Sequence, residues 1–166
     1  MVLKNLIKIM LEGENKMLHY EGIFFEGKSL ELIRKLEPKN LGIINDEIHC
    51  TFKYKPEDSE IFNEIVGKSF DLYLIGYGND GKNSGFETLL PKELLKYYIN
   101  YDNNGNLKVP HITTSIKEGE KASNTMYLDF KPLKEKVKVT GKFGYWIKDA
   151  ENEYLSYEPF IKTKTK

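Results

Sequence analysis

The sequence IHCTF at residues 48–52 recurs in form as PHITT at residues 110–114. Each stretch contains a histidine, then an apolar or small residue, then a threonine, within a run of residues that favour β-strands. Side chains two positions apart on a strand point to the same face. In each stretch the histidine and the threonine are therefore expected to point together, while the residue between them points into a core.

Four side chains follow as candidate catalytic residues: His49 and Thr51 on one strand, His111 and Thr113 on another. If the strands are neighbours, all four can converge on one small anion. A neutral imidazole can take a proton from an attacking hydroxyl, and a protonated one can give a proton to the departing oxygen. Threonine hydroxyls can donate hydrogen bonds to phosphate oxygens in the transition state. This chemistry needs neither a metal nor a cofactor, and we expect none.

A simpler interpretation applies to each motif alone. A single His-x-Thr can be a half-buried strand histidine beside a threonine that is present for its β propensity. The chain has only three histidines, and two of them occur in this setting. The duplication favours a functional pair. His19 lacks a threonine partner, and we interpret it as incidental.

Composition limits the partners. The 166 residues are 40% hydrophobic, which suits one domain or two small lobes that share a core. Acidic and basic residues balance to a net charge of zero, and Arg34 is the only arginine. A neutral chain is not expected to hold duplex DNA by electrostatics, so a small or locally held nucleotide fits better. Cys50 is the only cysteine, which excludes an internal disulfide and is consistent with a cytoplasmic protein.

The pattern along the chain predicts mostly strands. Expected strands cover residues 18–25, 48–54, 68–78, 85–90, 109–116 and 137–147, and expected helices cover 27–36 and 91–99. The first helix has Ser29 as its expected cap, and the second opens with Pro91. Residues 1–11 have apolar side chains at helical spacing, interrupted by lysines. They predict an amphipathic segment packed on the domain, or a membrane-surface or dimer helix, and not a transmembrane span.

Four further residues are candidates for substrate binding. Tyr20 can stack on a nucleobase, although a tyrosine packed within a strand is the simpler interpretation. Lys121, Ser123 and Asn124 lie in a polar loop directly after the second motif. Loops at strand ends commonly carry binding groups, so these side chains can contact a phosphate or a ribose. An ordinary solvated loop explains them equally well.

A weak internal repeat links the two motifs. Each His-x-Thr strand is followed by a connector and then by a strand with Gly-Tyr, at Gly76-Tyr77 and at Gly144-Tyr145. We therefore expect a single α+β domain over residues 1–166, with mainly antiparallel sheets and helices outside. One lobe should cover about residues 17–78 and the other about 85–160, related by a pseudo-two-fold axis.

The paired motifs resemble those of the 2H phosphoesterase superfamily. That superfamily includes LigT-like RNA 2′,3′-cyclic phosphodiesterases, the cyclic phosphodiesterase domain of tRNA ligases, and phage enzymes that destroy cyclic-nucleotide defence signals. The run from PHITTSI to GEKASN is also similar to the Swiss army knife RNA-repair-like branch. The resemblance covers roughly residues 20–147. It implies a bilobal LigT-like fold with two mainly antiparallel sheets around a central cleft, metal independence, and catalytic roles for the four motif residues.

Cys50 and Thr114 depart from that family pattern. Cys50 is smaller than the usual apolar residue, and Thr114 stands where a large apolar residue is common. Neither is one of the four catalytic positions.

The sequence therefore predicts a phosphodiesterase that acts next to a ribose 2′ oxygen. The preferred substrate is a small cyclic or 2′–5′-linked oligonucleotide, as in the degradation of a defence signal. One alternative is a 2′,3′-cyclic phosphodiesterase acting on RNA 3′ ends in processing or repair. Another is a nucleotide-binding module without turnover. No membrane partner is expected, and the place of action is the cytoplasm, or the host cytoplasm if a phage encodes the chain. The sequence leaves the oligomeric state open.

Overall fold

The computed structural model describes residues 16–38, 40–44 and 47–161. The predicted amphipathic segment at residues 1–11 and the tail from residue 162 lie outside these ranges. Within them the protein has the predicted α+β composition, with one antiparallel sheet of eight strands and few helices. No helix within the described ranges is long and apolar enough to cross a membrane.

The strands occupy the positions that the sequence predicts, with two additions. They are β1 (Lys16–Phe24), β2 (Ile43–Ile44), β3 (His49–Tyr54), β4 (Ser69–Asn79), β5 (Asn83–Leu89), β6 (His111–Ile116), β7 (Lys131–Asp149) and β8 (Asn152–Ser156). The order in the sheet is β2-β6-β5-β4-β7-β1-β3, and β8 pairs with β7. All pairs are antiparallel. The sequence did not predict β2 or β8, and β7 begins several residues earlier than expected.

Helices are fewer than predicted. The α-helix α1 (Gly27–Leu36) buries Ile33 against the core, as its apolar stripe predicts. The prediction of Ser29 as its cap is wrong, because Glu26 holds the N-cap position and the Ser29 hydroxyl instead accepts a hydrogen bond from the backbone N–H of Thr140 on β7. The segment predicted as a second helix is a short 3₁₀ turn, Lys92–Tyr97. Two other 3₁₀ turns, Asp58–Glu60 and Ala122–Tyr127, lie within the described residues.

One continuous sheet replaces the two that were expected. The cause is the pairing of β4 with β7, which runs from Ser69 opposite Lys142 to Tyr77 opposite Lys131 and joins the two groups of strands. On one side of this junction the order is β7-β1-β3, and on the other it is β4-β5-β6. The two motif strands, β3 and β6, therefore lie far apart in hydrogen-bonding order.

The sheet nevertheless brings β3 and β6 together. Residues of β3 contact β6 although the two strands are not paired. The Cys50 thiol on β3 lies 3.7 Å from the Thr88 hydroxyl on β5, the neighbour of β6. Since β3 is at one end of the order and β6 is close to the other, the sheet must curl until its ends meet. This curl brings the two motif strands close together.

Candidate active site

Both His-x-Thr motifs line one cleft. His49, Thr51, His111 and Thr113 all border a hollow of about 570 Å³. The four side chains are partly buried, as the alternation along the strands predicts. The residues between them, Cys50 and Ile112, are fully buried in the core on the opposite face.

The two imidazoles are oriented in the same way. Nδ1 of His49 lies 3.0 Å from the carbonyl oxygen of Glu47, and Nδ1 of His111 lies 2.7 Å from that of Val109. A carbonyl oxygen only accepts, so Nδ1 carries the proton in both rings. Neither Nε2 atom hydrogen-bonds to the described part of the chain. In each ring Nε2 is therefore the atom that can take or give a proton.

A glycine lies opposite each motif threonine. Gly22 on β1 pairs with Thr51, and Gly85 on β5 pairs with Thr113. Both glycines sit at irregularities of the strand register. A Cβ atom at either position would lie 2.1 Å from a carbonyl oxygen within the motif, that of Cys50 or of Ile112. A side chain is therefore excluded at both points of close backbone approach.

The threonine of the second motif belongs to a hydrogen-bond network. The Thr113 hydroxyl donates to Thr125 Oγ1 at 2.9 Å, and Asn83 Nδ2 donates to the same oxygen at 3.1 Å. Asn83 and Thr125 are buried, so this network is shielded from water. The Thr51 hydroxyl has no hydrogen-bond partner among the described residues. It remains able to donate to a bound group.

The first motif histidine lies among aromatic rings. The ring centroid of Tyr20 is 4.7 Å from that of His49 at an interplanar angle of 27°, and the Phe24 centroid is at 5.4 Å. Tyr20 also stacks on Trp146, with centroids 6.1 Å apart. Tyr20 thus contacts protein rings and borders the cleft at the same time. Burial raises the pKa of its hydroxyl, which stays protonated.

Burial favours the neutral form of both imidazoles. It lowers the pKa of His49 to about 4, and a charge on His111 would lower it further, while the hydrogen bond to Glu47 opposes the change. Burial also lowers the pKa of His111, and the positive charge of Lys108 acts in the same direction. An anion between the rings would oppose both shifts, because it favours the imidazolium form.

The other predicted binding residues divide into two groups. Tyr20 and Ser123 border the cleft. Lys121 and Asn124 are exposed and are not among its lining residues; the Lys121 carbonyl instead accepts a hydrogen bond from Asn83. His19 does not line the cleft either. Its Nε2 atom hydrogen-bonds to the hydroxyl of Tyr54, which does.

Seven lining residues were not predicted. They are Lys53, Tyr54, Asn100, Tyr101, Asn103, Lys108 and Ala122. Strand alternation could have identified Lys53, because it lies two residues beyond Thr51 on the same face. No comparable signal marks Asn100 or Lys108, which lie on either side of the polar run at residues 102–106. In the structure a hydrogen bond holds this segment against β3, because Asn100 Nδ2 donates to the Thr51 carbonyl at 3.3 Å.

Charge in the cleft is contributed by lysines. Lys53 and Lys108 border it, and Lys53 lies 3.8 Å from Glu60 in an ion pair. Over the described ranges, no cluster of three or more His, Cys, Asp or Glu side chains is arranged to hold a metal ion.

No protein-family model matches the chain, and no curated protein matches it significantly.

Proposed function

We propose that this chain is a metal-independent phosphodiesterase of the 2H phosphoesterase type. It cleaves a phosphodiester at or next to a ribose 2′ oxygen, in a small cyclic or 2′–5′-linked oligonucleotide. The observation that carries the proposal is the matched pair of imidazoles. Two His-x-Thr motifs border one cleft, and the same Nδ1 hydrogen bond leaves Nε2 available in each ring.

The proposal includes the bilobal, pseudo-two-fold fold of that superfamily. Its support is the order of strands on the two sides of the β4–β7 junction. In one half β3 pairs with β1 and β1 with β7; in the other, β6 pairs with β5 and β5 with β4. In each half the strand next to the motif strand carries a glycine opposite the threonine, Gly22 or Gly85.

His49 is the base in this mechanism and His111 is the acid. His49 is enclosed by the rings of Tyr20 and Phe24 and has a pKa of about 4, so it is neutral near pH 7. His111 has fewer aromatic neighbours, and its nearest ring partner is Phe130 at 6.4 Å. A substrate phosphate beside His111 favours its imidazolium form.

The reaction is an exchange at phosphorus. An oxygen of water, or of the free ribose hydroxyl next to the scissile phosphate (2′ in a 3′–5′ linkage, 3′ in a 2′–5′ linkage), forms a bond to phosphorus while its proton passes to Nε2 of His49. The bond from phosphorus to the leaving oxygen breaks, and that oxygen takes the proton from Nε2 of His111. Thr51 donates a hydrogen bond to a non-bridging oxygen, where negative charge grows. Thr113 donates to another once its hydroxyl hydrogen turns from Thr125 Oγ1 to the bound phosphate. Lys53 and Lys108 balance the charge of the phosphate in a chain with no net charge.

A product analysis tests this function. The protein would be incubated with cyclic dinucleotides, cyclic trinucleotides, 2′–5′ oligoadenylates and RNA with 2′,3′-cyclic ends, and the products identified by mass spectrometry. We expect cleavage of the oligonucleotides. Cleavage of 2′,3′-cyclic ends alone would indicate RNA end processing instead. Binding without cleavage of any substrate would indicate a nucleotide-binding module.

The same assay tests metal independence. Because threonine hydroxyls and lysines supply the electrophilic assistance, turnover should survive excess EDTA. Loss of turnover that zinc or manganese restores would contradict the mechanism.

A further inference from the structure

The cleft continues beyond the histidine pair. A second hollow of about 430 Å³ shares Tyr20, His49, Thr113 and Ala122 with the first. It adds Ile43, Ile44, Glu47, Ile116 and Trp146, and we call these five residues the apolar wing. The two hollows meet where His49 and Thr113 face both, and each has the size of a small-ligand site, about 300–1,000 Å³.

The two sides differ in chemistry. The first hollow has Lys53 and Lys108 among its lining residues, together with amides and tyrosine hydroxyls. The apolar wing consists of isoleucines and an indole, with Glu47 as its one ionisable side chain. A carboxylate repels a second phosphate, so the wing suits the uncharged sugar and base of a nucleotide.

The wall of the apolar wing is formed by a paired strand and by a tryptophan ring that is held in place. β2 pairs with the second motif strand through Ile43 opposite Ile116, which places an isoleucine strand beside the catalytic strand. Ile43 and Ile44 are 44% and 45% exposed, which is unusual for neighbouring large apolar residues on a strand. The Trp146 ring is held on one side by its stack with Tyr20, and its Nε1 atom donates to Glu153 at 3.4 Å. A ring held in this way is a rigid platform on which a base can stack.

We propose that the apolar wing binds the nucleoside on the far side of the scissile phosphate. This inference rests on the proposed function. A phosphodiester at the histidine pair has two ester oxygens, and each leads toward one hollow. An internal bond of a linear or cyclic oligonucleotide fills both hollows, whereas a terminal 2′,3′-cyclic phosphate carries one nucleoside and fills only one. The enzyme therefore selects phosphodiesters with a nucleoside on both sides.

A ratio of two activities tests the subsite. The value of kcat/KM would be measured for adenylyl-(2′–5′)-adenosine and for adenosine 2′,3′-cyclic monophosphate, with the unmodified protein and with Ile44→Asn. Ile44 is exposed, whereas Trp146 stacks on Tyr20, which in turn stacks on His49. Replacement of Ile44 should therefore leave the fold intact. We expect the ratio of dinucleotide to cyclic mononucleotide activity to fall roughly tenfold, within the range that contact with one base provides.

Leu89→Asn is the matched control. Leu89 is 46% exposed on β5 and borders neither hollow, so its replacement should leave the ratio unchanged. An unchanged ratio in Ile44→Asn, whether or not both activities fall, would overturn the subsite while leaving the proposed function in place.

A binding measurement distinguishes failure of the subsite from failure of the proposed function. Trp146 is the only tryptophan, so its fluorescence reports directly on the wing. In a His111→Ala variant, in which turnover is slowed so that binding can be measured, we expect the dinucleotide to change the emission and adenosine 2′,3′-cyclic monophosphate to change it much less. Equal changes from both would overturn the subsite. Failure of the unmodified protein to bind or cut either compound would overturn the proposed function, and the subsite with it.

Discussion

The two motif strands carry the same His-x-Thr pattern, but one motif has aromatic neighbours and the other has polar neighbours. On β3 the histidine lies among rings, with Tyr20 and Phe24 against His49. On β6 the motif lies among hydroxyls and amides, where Thr113 donates to Thr125. A symmetric pair of motifs thus has an asymmetric environment. Since apolar surroundings favour a neutral imidazole, this difference allows one motif to act as base and the other as acid.

The polar character of the second motif extends to the far face of its strand. One oxygen of the Glu37 carboxylate accepts hydrogen bonds from Thr114 at 3.0 Å, from Ser115 at 2.8 Å, and from Ser84 on β5. The three hydroxyls are buried. Thr114 stands where the resembled family commonly has a large apolar residue, and the structure accounts for it by this contact. Glu37 directly follows α1, so its hydrogen bonds connect this helix to the second motif strand, β6.

The largest expected effect comes from removing either imidazole. His49→Ala and His111→Ala should each lower turnover about 10²- to 10⁴-fold, because each removes one proton-transfer group. Substrate binding should largely persist, as measured by equilibrium binding of a labelled nucleotide. His19→Ala is the control: it alters a hydrogen bond to Tyr54 and should have little effect on turnover. An effect of His19→Ala as large as the other two would show that the pair is wrongly assigned.

The next effect tests whether the two halves are built alike. Gly22→Ala and Gly85→Ala each place a Cβ atom 2.1 Å from a motif carbonyl oxygen, so the motif backbone must move. Each should lower the free energy of unfolding by about 1–3 kcal/mol, the usual cost of overpacking. Turnover at a temperature where the variant is folded should fall as well, because the histidine moves with its strand.

Gly76→Ala serves as the comparison for both glycines. Its Cβ would lie 3.2 Å from Phe130 Cβ and 3.3 Å from the Lys131 carbonyl oxygen, so these neighbours need to move by much less than a carbonyl oxygen at 2.1 Å. Thermal unfolding and turnover would be measured for all three variants. If Gly76→Ala were the most damaging, close approach to the motifs would not be the reason for the glycines.

The Glu37 contacts predict a smaller effect, specific to the second motif. Glu37→Gln replaces the carboxylate with an amide, which weakens three charge-assisted hydrogen bonds to buried hydroxyls. The free energy of unfolding should fall by about 1–3 kcal/mol. Glu31→Gln makes the same chemical change at an exposed position of α1 and should be neutral. Chemical denaturation measures both; equal stability of the two variants would show that the cluster contributes nothing.

Strand periodicity was sufficient to predict which face of each motif strand carries the histidine and the threonine. Alternation placed His49 with Thr51 and His111 with Thr113, and the structure has both pairs on the cleft face. It reports only which face a residue takes, however, and not which strands meet. The joining of the two groups of strands by β4 and β7, and the curl that brings β3 to β6, depend on contacts distant in sequence.

Residues in irregular segments were beyond prediction for a similar reason. Asn100 and Lys108 border the cleft because tertiary hydrogen bonds hold their loop, and the local sequence pattern does not indicate those contacts. Ile43 and Ile44 are too few to give a strand pattern. The aromatic partners of His49 could be recognised as strand residues, but their stacking depends on the register of β1 against β7.

The smallest expected effect is a shift in the pH dependence of kcat/KM. It tests whether the different surroundings of His49 and His111 give the two histidines different roles. The proposed mechanism requires His49 to be neutral, so kcat/KM should rise as pH passes upward through the pKa of His49, about 4 without substrate. It also requires His111 to be protonated, so kcat/KM falls as pH passes upward through the pKa of His111, which burial keeps below 6.5. The profile should be bell-shaped and displaced to the acid side, with limits that belong to the coupled pair.

Crossed substitutions then identify the role of each ring. Tyr20→Ala opens His49 to water, so its pKa should rise, and the acid limb should move to higher pH by about one unit, since one ring supplies only part of the burial. Phe130→Ala opens His111 in the same way, but from a centroid distance of 6.4 Å, so the alkaline limb should move up by less. NMR titration of the ring protons would follow each pKa independently of turnover. If Tyr20→Ala moved the alkaline limb while NMR showed the His49 pKa rising, His49 would be the acid, and the aromatic strand would serve the departing oxygen instead of the attacking one.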